Sequence, residues 1–490
     1  MRYNRLVRYN GKEGLAMHRS MHRSPLLIAL AAALALSAAG CGGTAAEPRG
    51  GRAHDSLADK PERTSTPVKA KPELKGKIRI GFVGLNDQTA PDPLMGDTVY
   101  GADELKKRLK LDYPNIDFEV VTYPYKDHQA KVKALIESRQ IDVSVESDSK
   151  FMWNQGLSED LSPWLEKDKE WSKDHYVSPS LFTGPLEVDK TGQPVNNALP
   201  IAVDASGIYY DKKLFQDFGV PFISDHPTWD EIADKAKRLT GINPVTGETC
   251  YGVFMRIPSD HVGYNVSIIA NTFGADMGRM GYKEYLNRVS LNSEGMVKAA
   301  NYLKSLMPFA PPGMIQGQGG EKWSTPRNNI AIYINLPAIQ MQKFRSLKLT
   351  DRYDVAMIPQ GLDGSGGFLG GIRVQMVKNA QAKELAWEIV KWMSVGNGQR
   401  FLWETKTMMP VSLKALGPDY KPDALDEKMF SMVGQAQRMS PIWFTTAKFA
   451  LTRAMEKVLL KDTPAQEALN QAQQEVDSEF AKMKSVDPKG

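Results

Sequence analysis

Polar residues that close apolar segments are the groups of this 490-residue chain best placed to meet a ligand. Asn86 and Asp87 follow an apolar run that ends at Val83, and Glu146, Ser147 and Asp148 follow the run 141–145. Carboxylates accept hydrogen bonds, and amides both donate and accept, so such groups suit hydroxyl-bearing partners. Asp204 lies in an otherwise apolar stretch, 199–210, either as a solvated strand end or as a ligand contact. Tyr264 and Asn265 form a polar break before Ile268-Ile269-Ala270, as a pocket wall would. Trp323 precedes a turn, either as an exposed platform or as a satellite of the core. Arg373 follows Gly370-Gly371 and either reaches ligand or pairs with an acid.

Catalytic constellations are missing from the sequence. The histidines are His18, His22, His54, His128, His175, His226 and His261, and none is paired at helical ligand spacing. No metal and no cofactor is therefore expected. There is no Gly-x-Ser-x-Gly elbow and no Walker loop. The glycine-rich stretch 361–371 lacks a Lys-Ser/Thr ending and reads as a hinge or turn. Cys250 has no histidine nearby and reads as a small buried residue. Trp229 reads as structural, one residue into a capped helix. No pair of acids is singled out as a glycosidase dyad.

The elements that must position these residues begin at Lys77. A strand over 78–83 is followed by a helix pattern at 97–110, a strand at 116–123, a helix at 127–140 and a strand at 141–145. This βαβ series predicts a mostly parallel sheet with helices on its faces. In such sheets ligands bind beyond the carboxyl ends of the strands. A further strand is predicted over 199–210 and a helix over 211–218. Another helix opens at Pro227-Thr228-Trp229, with Thr228 and Glu231 spaced as a capping box. The last 40 residues read as helical, and no internal repeat is visible.

The N-terminus fixes the compartment. Arg19 and Arg23 precede an apolar run from Leu26 that ends in Ala38-Ala39-Gly40-Cys41. It is short for a membrane span and reads as an export signal. Its ending resembles a bacterial lipobox, which makes Cys41 the expected site of lipid (palmitate) attachment, at the extracytoplasmic face of the cell membrane. Met17 and Met21 are alternative starts. Removing residues 1–40 takes away six basic residues and one acid, leaving 56 of each. The remaining chain is neutral, with no footprint for nucleic acid. With Cys41 lipidated only Cys250 remains, so no internal disulfide is expected. Residues 41–75 are rich in Gly, Pro, Lys, Glu and Thr and read as a flexible tether. About 400 further residues exceed one ordinary core and predict two lobes.

The segment Leu199-Pro200-Ile201-Ala202-Val203-Asp204-Ala205-Ser206-Gly207-Ile208-Tyr209-Tyr210 resembles the crossover strand of extracellular solute-binding proteins of bacterial ABC importers, the maltose-binding-protein branch. Gly219-Val220-Pro221, Pro227–Glu231, Asn329–Asn335, Tyr353–Pro359, Gly370-Gly371 and Ala386–Trp392 continue the match in family order. The resemblance spans roughly residues 77–484. It implies a two-lobed α/β fold of the periplasmic-binding-protein type II class, with ligand enclosed at the hinge. The N-lobe would take 76–203 and 364–396, and the C-lobe 204–363 and 397–484. Carried over by position, Asn86, Asp87, Ser147, Asp148, Asp204 and Asn335 become ligand contacts. Trp443 and Phe444 fall where sugar-binding members place two aromatics. Where those members often carry Gly-Pro-Trp, this chain has Leu336-Pro337-Ala338 and lacks a stacking platform.

The function implied is a monomeric, lipid-anchored subunit that captures a sugar or oligosaccharide and delivers it to an ABC permease without turnover. An exported glycan hydrolase, with Asp148 and Asp204 facing a cleft, is a second class. A ligand-binding sensor accessory on the same fold is a third. The missing catalytic set argues against the hydrolase.

Overall fold

The computed structural model describes residues 70–91, 98–147, 149–177, 187–188, 194–255, 262–275, 290–361, 366–367, 369–406, 409–436 and 446–486. All of them belong to one compact unit, residues 63–490. Cys41, Asp148, Trp443 and Phe444 lie outside the described residues.

Two sheets organise the chain. Strands β1 (Gly76–Val83), β2 (Ile116–Tyr123), β3 (Val143–Glu146) and β4 (Leu199–Asp204) come first. Next are β5 (Ser206–Asp211), β6 (Gly241–Ile242), β7 (Thr249–Met255), β8 (Ile330–Pro337) and β9 (Tyr353–Ala356). Strands β10 (Gly370–Met376) and β11 (Met409–Pro410) then return. The first sheet has the order β11-β4-β10-β3-β1-β2 and the second the order β6-β7-β8-β5-β9. Each sheet has its own apolar core. Ile78, Ile80, Leu109, Val374 and Trp392 fill the first, and Tyr209, Phe215, Val253, Ile332 and Leu451 fill the second.

The opening βαβ series folds as its periodicity predicts. Helix α1 (Ala102–Asp112) joins β1 to β2, and α2 (His128–Glu137) joins β2 to β3. β1 pairs in parallel with both β2 and β3. The predicted helix at 97–110 starts later, because Thr98–Val99 pairs with Ala90–Pro91 and Gly101 takes the N-cap. Elsewhere the sheets are mixed. β10 runs antiparallel to β3 and β4, and β5 runs antiparallel to β8 and β9. The strands that cross between sheets enter each one inverted, which breaks the parallel run.

The stretch 199–210 is two strands, not one. β4 ends at Asp204 in the first sheet and β5 begins at Ser206 in the second, with buried Ala205 between them. Gly370-Gly371 opens β10 and is not a turn. A Cβ on Gly371 would lie 2.2 Å from the Ala202 carbonyl oxygen, so the bulged pairing of β10 with β4 requires glycine there.

Helix α3 (Trp229–Arg238) carries half of the expected capping box. Thr228 Oγ1 accepts the Glu231 backbone N–H at 3.1 Å, but the Glu231 carboxylate accepts from Ser224 N and Oγ instead. Trp229 is structural, its Nε1 donating to Thr272 Oγ1 at 2.7 Å. Cys250 is free and buried. Helix α4 (Val262–Thr272) supports the second sheet. Helix α5 (Lys383–Val395) packs on the first. The terminal pair α6 (Thr446–Leu460) and α7 (Ala465–Val486) buries Leu451, Met455, Leu469 and Val476 together. No helix among the described residues is long and apolar enough to cross a membrane.

Candidate ligand site at the crossing of the two sheets

Register places the carboxyl ends of strands from both sheets beside the 204–206 crossing. Asp204 is paired with Gly370, and Ser206 with Pro337 at the end of β8. Arg373, three residues along β10 from Gly370, stands opposite Glu146 at the end of β3. Three strand steps are about 10 Å, so Glu146 and the crossing border one region.

On the first lobe, Asn86 and Asp87 are exposed just past β1. Their carbonyls accept the backbone N–H of Ala102 at 2.8 Å and of Asp103 at 3.3 Å, fixing the loop on the start of α1. Asp87 Oδ1 also accepts from Thr122 Oγ1. Ser147 is exposed at the end of β3. Beside it lies Glu146, only 1% exposed. Its Oε1 accepts Tyr123 OH at 2.6 Å, and its Oε2 lies 2.8 Å from His128 Nδ1. Burial and this carboxylate push the Tyr123 phenol well above its ordinary range. Sequence reading reached Glu146 only as a strand end. The signal was an acid closing Val143-Ser144-Val145, where burial needs a partner.

On the second lobe, Asn265 and Asn335 meet. Asn335 Nδ2 donates to the Oδ1 of buried Asn265 in α4. Asn335 sits at a bulge in β8 with φ of 66°, a left-handed conformation that asparagine tolerates better than most residues. Its Oδ1 is buried with no hydrogen-bond partner. Tyr264 precedes Asn265 in α4. The Leu336-Pro337-Ala338 segment is pinned by Tyr209 OH, which donates to the Pro337 and Ala338 carbonyls at 2.8 and 2.9 Å.

Trp323 stands apart from this region. Its ring packs edge-on against Tyr333 and Tyr353, at 5.2 and 5.0 Å between centroids. Tyr353 pairs with Asp211, the end of β5 remote from Ser206 by five strand steps, about 17 Å. Trp323 is a satellite of the core at that end. Among the described residues no group of three or more His, Cys, Asp or Glu is arranged to hold a metal.

Known proteins share this architecture. The sugar-binding protein MalE from the phytopathogen Xanthomonas citri is 15% identical, with a TM-score of 0.67 covering 84% of this chain and 100% of that one. An ABC substrate-binding protein from Listeria monocytogenes, solved with cycloalternan, is 19% identical, with a TM-score of 0.63 and coverage of 83% and 100%. An ABC transporter solute-binding protein from Agrobacterium radiobacter K84, solved with ribitol, is 21% identical, with a TM-score of 0.61 and the same coverage. The family model for bacterial extracellular solute-binding proteins matches residues 94–394. Two α/β lobes joined by crossing strands, with that match over more than half its length, mean that the chain belongs to the bacterial extracellular solute-binding protein family.

Proposed function

We propose that this protein captures a sugar or polyol between its lobes and delivers it, without chemical change, to the permease of an ABC importer. It acts at the extracytoplasmic face of the membrane, held there by lipid on Cys41. The lobes we assign are 76–203 with 364–396 and 204–363 with 397–484, except that Phe401 and Leu402 pack in the first core and Met409–Pro410 is an edge strand of the first sheet. Asn86, Asp87, Ser147 and Asp148 would contact solute from the first lobe. Asp204 and Arg373 would do so at the crossing, and Tyr264, Asn265, Asn335, Trp443 and Phe444 from the second lobe.

One observation carries the reading. The carboxyl ends of strands from both sheets meet at the crossing and bring carboxylate and amide groups with them. Such groups satisfy hydroxyls as they leave water. The ribitol and cycloalternan complexes of proteins with the same fold agree with a hydroxyl-rich solute. Closure of the lobes about the solute would be a hinge motion at 204–206 and its neighbouring crossings.

Calorimetry of the purified protein against ribitol, D-mannitol, D-tagatose, maltose and longer oligosaccharides tests this. Saturable binding of one solute, recovered unchanged by mass spectrometry, is the expected result. Release of an altered product would overturn the binding role, and no binding across the panel would overturn the solute class.

A further inference from the structure

The residues just before β1 are held at a fixed place on the first lobe. The Lys71 backbone N–H donates to the Asp112 carbonyl at 2.8 Å, and Asn115 Nδ2 donates to the Pro72 carbonyl at 2.7 Å. Lys71 Nζ reaches Glu388 of α5 at 2.9 Å and Glu170 at 3.3 Å, and Leu74 packs against the first core. The chain is thus clamped against the C-terminal end of α1. This is the end of the sheet at which β1 and β2 begin, with Gly76 paired to Ile116. Glu146 and the crossing lie at the opposite end, seven strand steps or about 23 Å along β1.

The outer side of α1 carries Lys106, Lys107, Lys110 and Leu111, all exposed. Their spacing puts them on one side of the helix, away from buried Leu105 and Leu109. Leu111 is 69% exposed, more than any other large apolar side chain among the described residues. The acids of this helix have other partners. Asp103 accepts from Thr89 N and Oγ1, each at 2.8 Å. Glu104 accepts from Arg108 Nε at 2.8 Å and stands 3.6 Å from Lys107. The carboxylate of buried Asp112 accepts from Trp392 Nε1 and Asn397 Nδ2. The stripe therefore keeps a positive surplus beside a bare leucine.

We propose that this side of α1 docks on an anionic lipid surface and sets how the first lobe rests on the membrane. The proposal takes Cys41 as the site of lipid attachment, as above. Lysines are drawn to an anionic bilayer within a Debye length of about 8 Å at physiological salt, and a leucine among them enters the headgroup boundary. Residues 42–69 lie between Cys41 and Ala70, the first described residue. A polar tether of that length spans roughly 30 Å r.m.s., which keeps the stripe beside its exit within reach of the bilayer. From Arg63 to Lys77 five basic residues stand against one acid, Glu73, so the exit carries the same sign of charge. Docking there leaves the solute site at the far end of β1 open.

The test uses the processed, lipid-carrying protein on vesicles of phosphatidylcholine, alone or mixed with phosphatidylglycerol. Amine-reactive labelling read by mass spectrometry reports on each lysine. Lys106, Lys107 and Lys110 should label about fivefold more slowly on the anionic vesicles. Lys75, exposed at the exit, should be slowed with them. All four should recover in about 1 M salt, where the Debye length falls to about 3 Å. Lys237 and Lys461, exposed on the second lobe, should not change. Combining Lys106→Glu, Lys107→Glu and Lys110→Glu should return Lys75 to its rate on pure phosphatidylcholine, with lipid still on Cys41. An unchanged melting temperature separates this from misfolding, since the three side chains are exposed. Equal labelling on the two vesicle types overturns the docking and leaves the anchor standing. Slowing of Lys237 and Lys461 to the same degree, or slowing that follows protein concentration without vesicles, points to crowding or a second copy and overturns it too. A Cys41 without lipid overturns the anchor, and the docking with it.

Discussion

Glu146 and Arg373 face each other across strands β3 and β10, and Glu146 alone of the two is fully buried. The carboxylate is sealed in by Tyr123 OH and His128 Nδ1 from two other elements. It therefore locks β2, β3 and α2 to one another at the end of the sheet nearest the crossing. Glu146→Ala leaves a buried phenol and imidazole without their acceptor and should lower unfolding stability by about 3 kcal/mol. Glu146→Gln keeps one acceptor and should cost less. Urea denaturation of both variants is the check, and a loss below about 1 kcal/mol for Glu146→Ala would show that the lock is not stabilising.

Much of this was readable in advance, and the failures have physical causes. The strands 78–83 and 116–123 and the terminal helices announce themselves by period and composition. The break at Ala205 does not, because residues 199–203 and 206–211 on either side of it are buried and read as one largely apolar run. Glu146 reads only as a polar strand end, not as a buried lock, because an acid there is ordinarily solvated and its partners lie 18 and 23 residues away in sequence. The left-handed backbone of Asn335 has no local signature, since it follows from a bulge against β5.

A second lock should respond to pH. Lys391 Nζ reaches Asp168 and Glu170, each at 2.8 Å, while Lys71 Nζ joins Glu170 at 3.3 Å and Glu388 at 2.9 Å. Burial disfavours the Asp168 carboxylate, but Lys391 and the Trp387 indole N–H overcome it and hold its pKa below the ordinary range. Lys391 chiefly lowers Glu170, and Lys391 itself is raised against the opposing effect of burial. A depressed carboxylate adds stability above its unfolded pKa, near 4, and loses it as pH falls through the folded value. The raised lysine adds stability below about 10.4 and loses it above. The stability gap between parent and Lys391→Met should thus be flat from about pH 5 to 9 and narrow below about pH 4. Asp168 should dominate, because Glu170 is two-thirds exposed and screened. A gap that persists undiminished to pH 2 would disprove the linkage.

The proposed anchor depends on one thiol. The apolar run ending in Gly40-Cys41 makes Cys41 the proposed lipid acceptor. Cys41→Ser should leave the chain unprocessed or release it to the medium, as seen by fractionation and immunoblot. Processed, membrane-bound protein at parental levels would remove the lipoprotein reading without touching the fold.

The hinge itself supplies the sharpest test of where solute sits. Asp204 ends β4 opposite Gly370, and the Gly366 N–H, four residues earlier, donates to the Gln435 carbonyl at 3.1 Å. Gln435 ends the helix Ala424–Gln435, and Trp443 follows it by eight residues, before α6 begins at Thr446. Gln435 is thereby tied to the segment that leads into Gly370, the partner of Asp204. We expect the two to act on one solute, Asp204 by accepting hydroxyl hydrogen bonds and Trp443 by covering an apolar face. Asp204→Ala should weaken binding by about 1.5–3 kcal/mol, roughly tenfold to a hundredfold. Trp443→Ala should cost a similar amount through lost apolar area. If they share one solute, the double variant should lose less than the sum of the two in a thermodynamic cycle. Calorimetry decides, with circular dichroism to confirm folding: parental affinity in both single variants would move the site away from the crossing.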